Sequence, residues 1–499
     1  MNHLTAPLRR ALRTDLSASL VVFLVALPLC VGVAVASGVP AELGLITGIV
    51  GGLVTGLLPG SSLQVSGPAA GLTVLVYEAV QAYGLATLGI IVLAAGMLQL
   101  LLGALRWGGW FRAISVAVVE GMLAGIGMVI IAGQLYAMAD ATSPASGISK
   151  IAGLPGLLGD TVTSPAALSA FALGAGTIAV IVLWRRLPAK ARIVPGALVA
   201  VALATVAAAL FDLPVATVTV RGLLASIHPP GLTEMGQLAD LGVLGTIIAF
   251  TLIASAESLF SAAAVDRLHN GPRTDYDKEL IAQGAGNTLC GLLGALPMTA
   301  VIVRSATNVQ AGAQTKASRV LHGVWLLLFA VLFPVALTII PIAALAGVLI
   351  YAGFTLLPFT HLRTLWREHR GEALILVATA TAIVALNLFE GVLIGLVLAV
   401  AKTAWETSHT HLTLDSDGTD LIRVTLSGNA TFLRLPKLLD TLEALPDDRP
   451  VELNLTGVRH LDHASRTALT SWAAQRNARS GTGETRTIAM ANIVYSNSR

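Results

Sequence analysis

Charged side chains are scarce in this chain: Asp, Glu, Lys and Arg make up 12% of its 499 residues, about half the share of a soluble domain. Hydrophobic residues reach 55%, and the 49 glycines are spread through the apolar runs rather than gathered into linkers, as in packed transmembrane helices. This composition implies a polytopic membrane protein. Only two cysteines occur, Cys30 and Cys290, far apart in apolar stretches; they read as buried free thiols and imply neither disulfide nor metal. There is no Walker phosphate loop and no nucleophile constellation, so neither ATP-driven transport nor an enzyme has a motif to rest on. "WREHRGE" (366–372) lacks a second histidine at ligand spacing. No cofactor and no nucleic-acid partner are implied, and the net charge of +3 says little in itself, because where the positive charges lie matters more than their sum.

What is present is a series of apolar windows of membrane-crossing length, about 20 residues each. Twelve fall near 16–38, 40–58, 85–107, 113–134, 166–184, 193–211, 242–263, 277–296, 318–338, 340–357, 372–388 and 390–407. Two further pieces, "SGPAAGLTVLVYEAV" (66–80) and "TAVIVRSATNVQAG" (299–312), are too short to cross. Each follows a Gly/Pro-containing break, and each is the third segment of a seven-segment half, roughly 1–215 and 216–408. Interrupted segments at matching places in two halves point to an inverted-repeat transporter with its site between them. With the N-terminus inside and fourteen segments, the cytoplasmic side receives seventeen Arg and Lys, among them Arg9, Arg10, Arg13, Arg185, Arg186, Lys190, Arg192, Lys316, Arg319, Arg363, Arg367 and Arg370. The other side receives only Lys150 and Arg221. That asymmetry predicts an inner-membrane protein with both termini in the cytoplasm.

After Lys402 the pattern changes. Ile422, Val424 and Leu426 alternate with polar residues, as do Val451, Leu453 and Leu455, which is strand periodicity. "FLRLPKLLDTLEAL" and "SRTALTSWAAQRNARS" read as amphipathic helices, with Pro436 breaking or delaying the first. The expected division is a membrane domain over 1–408 and a small cytosolic α/β domain over 409–499.

The two breaks carry the chemistry. A helix that begins in mid-bilayer leaves its first N–H groups unpaired and carries about half a positive charge there. In "QVSGPAAG" (64–71) Ser66 is a candidate cap, Gly67 permits close approach, Pro68 suits an early helical position and Ala69 follows; in "LPMTAVIV" (296–303) Thr299 is the candidate cap, followed by Ala300. If the halves are inverted, the two N-termini face one small space that attracts an anion. Arg304 adds a full charge, and in hydrocarbon a guanidinium needs something to face. Glu257, deep in segment eight with Ser261 four residues on, is a candidate coupling group; a static Glu257–Arg304 pair that only orients helices is the alternative. Phe23 on the first segment is a candidate lining residue, although an aromatic there more often faces lipid or core.

"DKELIAQGAGNTLCGLLGALPMTA" (277–300) and "RSATNVQAGAQTKAS" (304–318) resemble the signature of the SulP (sulfate permease) family of anion transporters. "ALPLCVGVAVASGVP" (26–40) resembles the first segment of its bicarbonate-transporter-like members, and the C-terminal region resembles a STAS domain. The resemblance implies seven plus seven inverted segments, a core (1–4 and 8–11) moving against a gate (5–7 and 12–14), and a homodimer. It makes Glu257 the eighth-segment acid, Arg304 the tenth-segment arginine, and Ser66–Pro68 and Thr299 the helix starts. There are departures. Leu29 follows Pro28 where some members carry an acid, Glu257 stands where sodium-coupled members tend to have Asp, and "HLDHASRT" (460–467) lacks the Asp-Ser phosphoacceptor pattern. The expected function is secondary active transport of a small inorganic anion or carboxylate, bicarbonate first and sulfate or a dicarboxylate next, with H+ or Na+ as coupling ion. A nucleobase–cation symporter of the same architecture and an anion channel are the alternatives.

Overall fold

The structure is a computed structural model and describes residues 5–113, 115–144, 146–188, 194–220, 222–231, 235–415, 421–446, 449–479 and 486–488. Lys190, Arg192, Arg221 and the terminal "NIVYSNSR" lie outside them. By contacts the chain divides into two units, Met1–Leu396 and Val397–Arg499.

The first unit opens with α1 (Thr5–Ala36), α2 (Ala41–Val50) and a π-turn (Gly51–Thr55), then β1 (Ser66–Pro68), α3 (Thr73–Tyr83), α4 (Leu85–Ala104) and α5 (Val116–Met138). Short helices α6 (Gly147–Ala152) and α7 (Leu154–Thr163) lead to α8 (Pro165–Trp184) and α9 (Gly196–Leu210). The second half runs α10 (Leu241–Val265), α11 (Tyr276–Leu292), β2 (Met298–Ala300), α12 (Ile302–Gln310), α13 (Lys316–Leu332), α14 (Val335–Thr338), α15 (Ile342–Thr355), α16 (Phe359–Glu368), α17 (Arg370–Ala385) and α18 (Leu388–Thr407), within which the boundary of the two units falls. Every expected segment contains a helix, but the expectation of twelve long spans needs correction. Among the described residues seven helical spans are long and apolar enough to cross a membrane. The windows at 40–58, 193–211, 277–296, 318–338 and 372–388 hold α2 with its π-turn, α9, α11, α13 and α17, of 10 to 17 residues. Hydropathy runs on past the point where backbone pairing stops: Pro40 precedes α2, Pro195 precedes α9 and Thr315 caps α13.

Close helix packing explains why so apolar a chain holds together. α2 is buried at all ten positions. A Cβ on Gly44 would stand 2.1 Å from the Cys30 carbonyl oxygen and one on Gly48 2.7 Å from the Cys30 Sγ, so α1 and α2 meet backbone to backbone. The principal partners otherwise are α4 with α11, α5 with α15 and α17, α1 with α13, and α8 with α9 and α15.

The second unit is built on a four-stranded sheet of order β3-β4-β5-β6, formed by Thr410–Asp415, Ile422–Ala430, Val451–Leu461 and Arg486–Ile488. β3 and β4 are antiparallel, and the other pairs are parallel. α19 (Leu435–Glu443) and α20 (His463–Arg479) provide the crossovers. Val424, Leu426, Leu453 and Leu455 pack with Leu438, Leu442 and Trp472. Pro436 sits in the first turn of α19, where its missing N–H breaks nothing. β3 has no counterpart among the expected elements, because it is an edge strand with few buried side chains.

Candidate functional site

The two short strands cross each other. β1 and β2 pair antiparallel, Ser66 with Ala300, Gly67 with Thr299 and Pro68 with Met298, and all six residues are buried. From β1 the chain passes through a 3-10 turn, Ala70–Leu72, into α3, and from β2 directly into α12. Both helices therefore begin at the crossing, each with unpaired N–H groups and a partial positive charge.

The expected caps need correction. Neither helix start receives a side-chain hydrogen bond: Ala69 precedes the 3-10 turn, Leu72 precedes α3 and Val301 precedes α12. The Ser66 hydroxyl instead accepts from Gln283 Nε2 at 2.7 Å, the Thr299 hydroxyl lies 3.3 Å from the Ala300 carbonyl, and Pro68 lies in the strand, before the helix. Strand pairing between the two breaks holds these residues, so the helix starts stay uncapped.

α10 and α11 secure the crossing. Asn287 accepts from the Met298 N–H at 2.7 Å and donates to the Met298 carbonyl at 3.0 Å, taking the place of a neighbouring strand. Its Nδ2 also reaches Gln99, which donates to Ser255. Ser258 accepts from the Ala300 N–H at 3.2 Å, and Ser261 donates to the Ala300 carbonyl at 2.9 Å. The Ser261 hydroxyl is thus engaged with β2. The spacing Glu279, Gln283, Asn287 places three polar residues on one face of α11, all buried; that i, i+4, i+8 pattern was the available signal for this support.

Arg304 lies on α12 with 0% exposure. Its Nη2 donates to the Pro68 carbonyl at 3.4 Å, while Nε and Nη1 are buried with no hydrogen-bond partner. A Cβ on Gly67 would stand 2.2 Å from Nη1, so only glycine lets the guanidinium lie against β1. The Cys30 thiol of α1 faces the same guanidinium, a contact that the apolar surroundings of Cys30 in sequence did not suggest. Glu257 reaches the other end of the crossing. Its carboxylate lies over Gly71, where a Cβ would come within 2.5 Å, and it engages the Thr299 side chain, with Oε2 unpartnered. Among the described residues the ion pairs within 4.0 Å do not include Glu257 with Arg304, so the direct helix-orienting pair is not the arrangement found. Phe23 is buried with its ring 5.9 Å from Phe329, in the apolar cluster that also holds Cys30, Leu45 and Leu326.

Two helix starts and a buried guanidinium with unused donors thus meet at a crossing of broken segments inside a polytopic α-helical membrane protein. The model of the sulfate permease family matches residues 12–379, and the chain belongs to that family. It is 30% identical over 346 residues to the putative sulfate transporter YvdB of Bacillus subtilis, covering 68% of this chain and 64% of that protein. It is 28% identical over 393 residues to the bicarbonate transporter BicA of a Picosynechococcus species, covering 73% and 66%. The matches thus span slightly less than two thirds of these relatives' lengths. Its fold is that of the transmembrane domain of a cyanobacterial bicarbonate transporter BicA, with a TM-score of 0.68 at 24% identity over 77% of this chain and 97% of that one. Murine Slc26a9 in the inward-facing state gives a TM-score of 0.76 at 15% identity over 95% and 84%.

Proposed function

We propose that this protein is a secondary active transporter of a small anion, held between the N-termini of α3 and α12 and paired with Arg304. The observation that carries this reading is the buried guanidinium with two unpartnered nitrogens. A buried charge without a counter-charge costs several kcal/mol, and an anion seated at the crossing offsets that cost. Ser66, Gly67, Pro68, Ala69, Thr299 and Ala300 shape the cradle, and Phe23 backs it from α1. Glu257, held over the α3 start, is the coupling group for H+ or Na+, with Ser261 fixing its helix to β2. The substrate we favour is bicarbonate, on the likeness to BicA, with sulfate or a dicarboxylate as competitors. A nucleobase symporter is disfavoured because a purine edge gives an unpaired arginine nothing to neutralise.

In this reading the fourteen segments form two inverted sevens. The residues that build the cradle come from α1, β1 and the link after it, α10, β2 and α12, all in the part that the family resemblance assigns to a core that moves against α5–α9 and α15–α18. The protein works as a homodimer with both termini in the cytoplasm, and the second unit is a STAS-like domain; the parallel β4-β5-β6 sheet with crossover helices supports that assignment. The test is uptake of labelled bicarbonate, sulfate and fumarate into proteoliposomes, with and without pH and sodium gradients. Saturable, gradient-driven uptake of one of them is expected; uptake of none, or uptake that rises linearly without saturation, contradicts a carrier.

A further inference from the structure

The charge asymmetry of the sequence leaves Lys150 on the sparsely charged side, where the positive-inside rule expects few cations. Lys150 is not a solvated loop residue. It lies on α6 with 6% exposure, and the Tyr136 hydroxyl donates to its carbonyl at 2.9 Å. Its ammonium stands 5.2 Å from the centre of the Tyr77 ring and is in electrostatic contact with Glu78. Tyr77 and Glu78 belong to α3, the helix that starts at the crossing. The ammonium also borders a cavity of about 50 Å³ lined by Thr73, Tyr77, Gln134 and Ser143. Thr73 is the first residue of α3, so at about 1.5 Å per residue the cavity reaches to within a helical turn or two of the cradle.

We propose that Lys150 is a second anion-binding station, on the outer side of the cradle, and that Glu78 is its built-in competitor. A small anion arriving from the α6 side pairs with the ammonium and displaces the Glu78 carboxylate; when the anion moves on to Arg304, Glu78 returns. An ammonium this buried needs one counter-charge at all times, and a tethered carboxylate fills that need between passages. Glu390, at the start of α18, is a like charge close to Glu78, which weakens the hold of Glu78 on the site. Gln134, Ser143 and Thr73 offer polar groups to an oxyanion there. The tyrosine face keeps the ammonium in place by cation–π attraction. The proposal rests on the anion-transport reading.

The experiment measures influx as a function of external anion concentration in proteoliposomes holding the full chain, for the wild type, Lys150→Gln, Lys150→Arg and Glu78→Gln, with labelled bicarbonate and separately with sulfate. Loss of one charge-assisted contact should raise KM about tenfold in Lys150→Gln, a larger change than that in kcat, and Lys150→Arg should recover most of it. Glu78→Gln should move KM the other way, downward, because the competitor is gone. If the pair is only a structural clasp, both neutralising variants change KM in the same direction or leave it unchanged, and the proposal falls. Should Lys150→Gln fail to fold, a KM in Glu78→Gln at or above the wild-type value is by itself sufficient to overturn it. A wild type that takes up neither anion points instead to failure of the transport reading, which is a different outcome from active variants with unaltered KM.

Discussion

Arg304 and Arg319 are both buried arginines, fifteen residues apart, with 0% and 2% exposure, and they do opposite things. Arg319 on α13 donates from Nε to the Gly56 carbonyl at 2.8 Å and from Nη2 to the carbonyls of Thr55 and Leu58 at 3.1 and 2.8 Å; Nη1 reaches Gln64 at 3.5 Å. These are the carbonyls that the end of the second segment leaves open, so Arg319 serves as a C-terminal cap for the π-turn. Lys316 joins it on the Leu58 carbonyl. Arg304 has one long bond and two idle nitrogens. An arginine whose donors are used by backbone is part of the fold. An arginine buried at equal depth with donors in reserve is what the proposed anion site requires.

That contrast can be broken in both directions. Arg319→Ala should have the largest effect, because it leaves several helix-end carbonyls buried and unpaired at about 1–3 kcal/mol each. Loss of monodisperse protein in detergent is the expected result, and a variant with wild-type melting behaviour would show that the cap is dispensable. Arg304→Ala should abolish saturable uptake while the protein stays folded, since removing an unpaired buried charge does not destabilise. A uniform fall in both stability and uptake would make Arg304 another Arg319. Glu257→Gln is expected to flatten the dependence of uptake on pH or sodium and leave the fold intact; full dependence in that variant removes Glu257 from coupling.

The smallest effect concerns the second unit. Burial pulls the Asp462 carboxyl up, but the N–H groups of Ser465 and Phe432 outweigh it and hold the group below its ordinary value. The folded form thus favours the carboxylate, and its contribution is present at neutral pH and lost as the pH falls below the ordinary carboxylate range, about 4. Asp462→Ala should lower stability by about 1 kcal/mol at pH 7, and the difference from wild type should shrink as the pH is taken down through the lowered carboxyl range, which denaturant titrations at neutral and successively more acidic pH would measure.

How much of this was legible in the sequence differs between the two arginines. Hydropathy and Gly/Pro breaks mark the crossing, because backbone left unpaired at membrane depth is tolerated only where protein buries it or a cavity needs it. Those breaks brought Ser66–Ala69, Thr299, Ala300, Arg304 and Glu257 together. The hydroxyl roles were not legible. A serine or threonine before a helix reads as a cap, and only the pairing of two distant strands shows that Ser66 and Thr299 are used elsewhere. Arg319 counted only as one of the cations on the expected cytoplasmic side, since a one-dimensional charge tally cannot distinguish a loop from a buried helix start. Cys30 faces Arg304 only because α1 folds back over the crossing, and no local pattern encodes that. Ser465 lies in the unusual "HLDHASRT" stretch and is buried at 0% exposure, so its hydroxyl faces the interior of the second unit.

The central claim, that the idle donors of Arg304 are an anion site, is tested most directly by equilibrium binding of labelled bicarbonate and sulfate to purified wild type and Arg304→Ala in detergent. The account predicts saturable binding of one of these anions to the wild type and an affinity at least about a hundredfold weaker in the variant, the usual consequence of removing one partner of a buried charge pair. Equal affinity in the two proteins would contradict it.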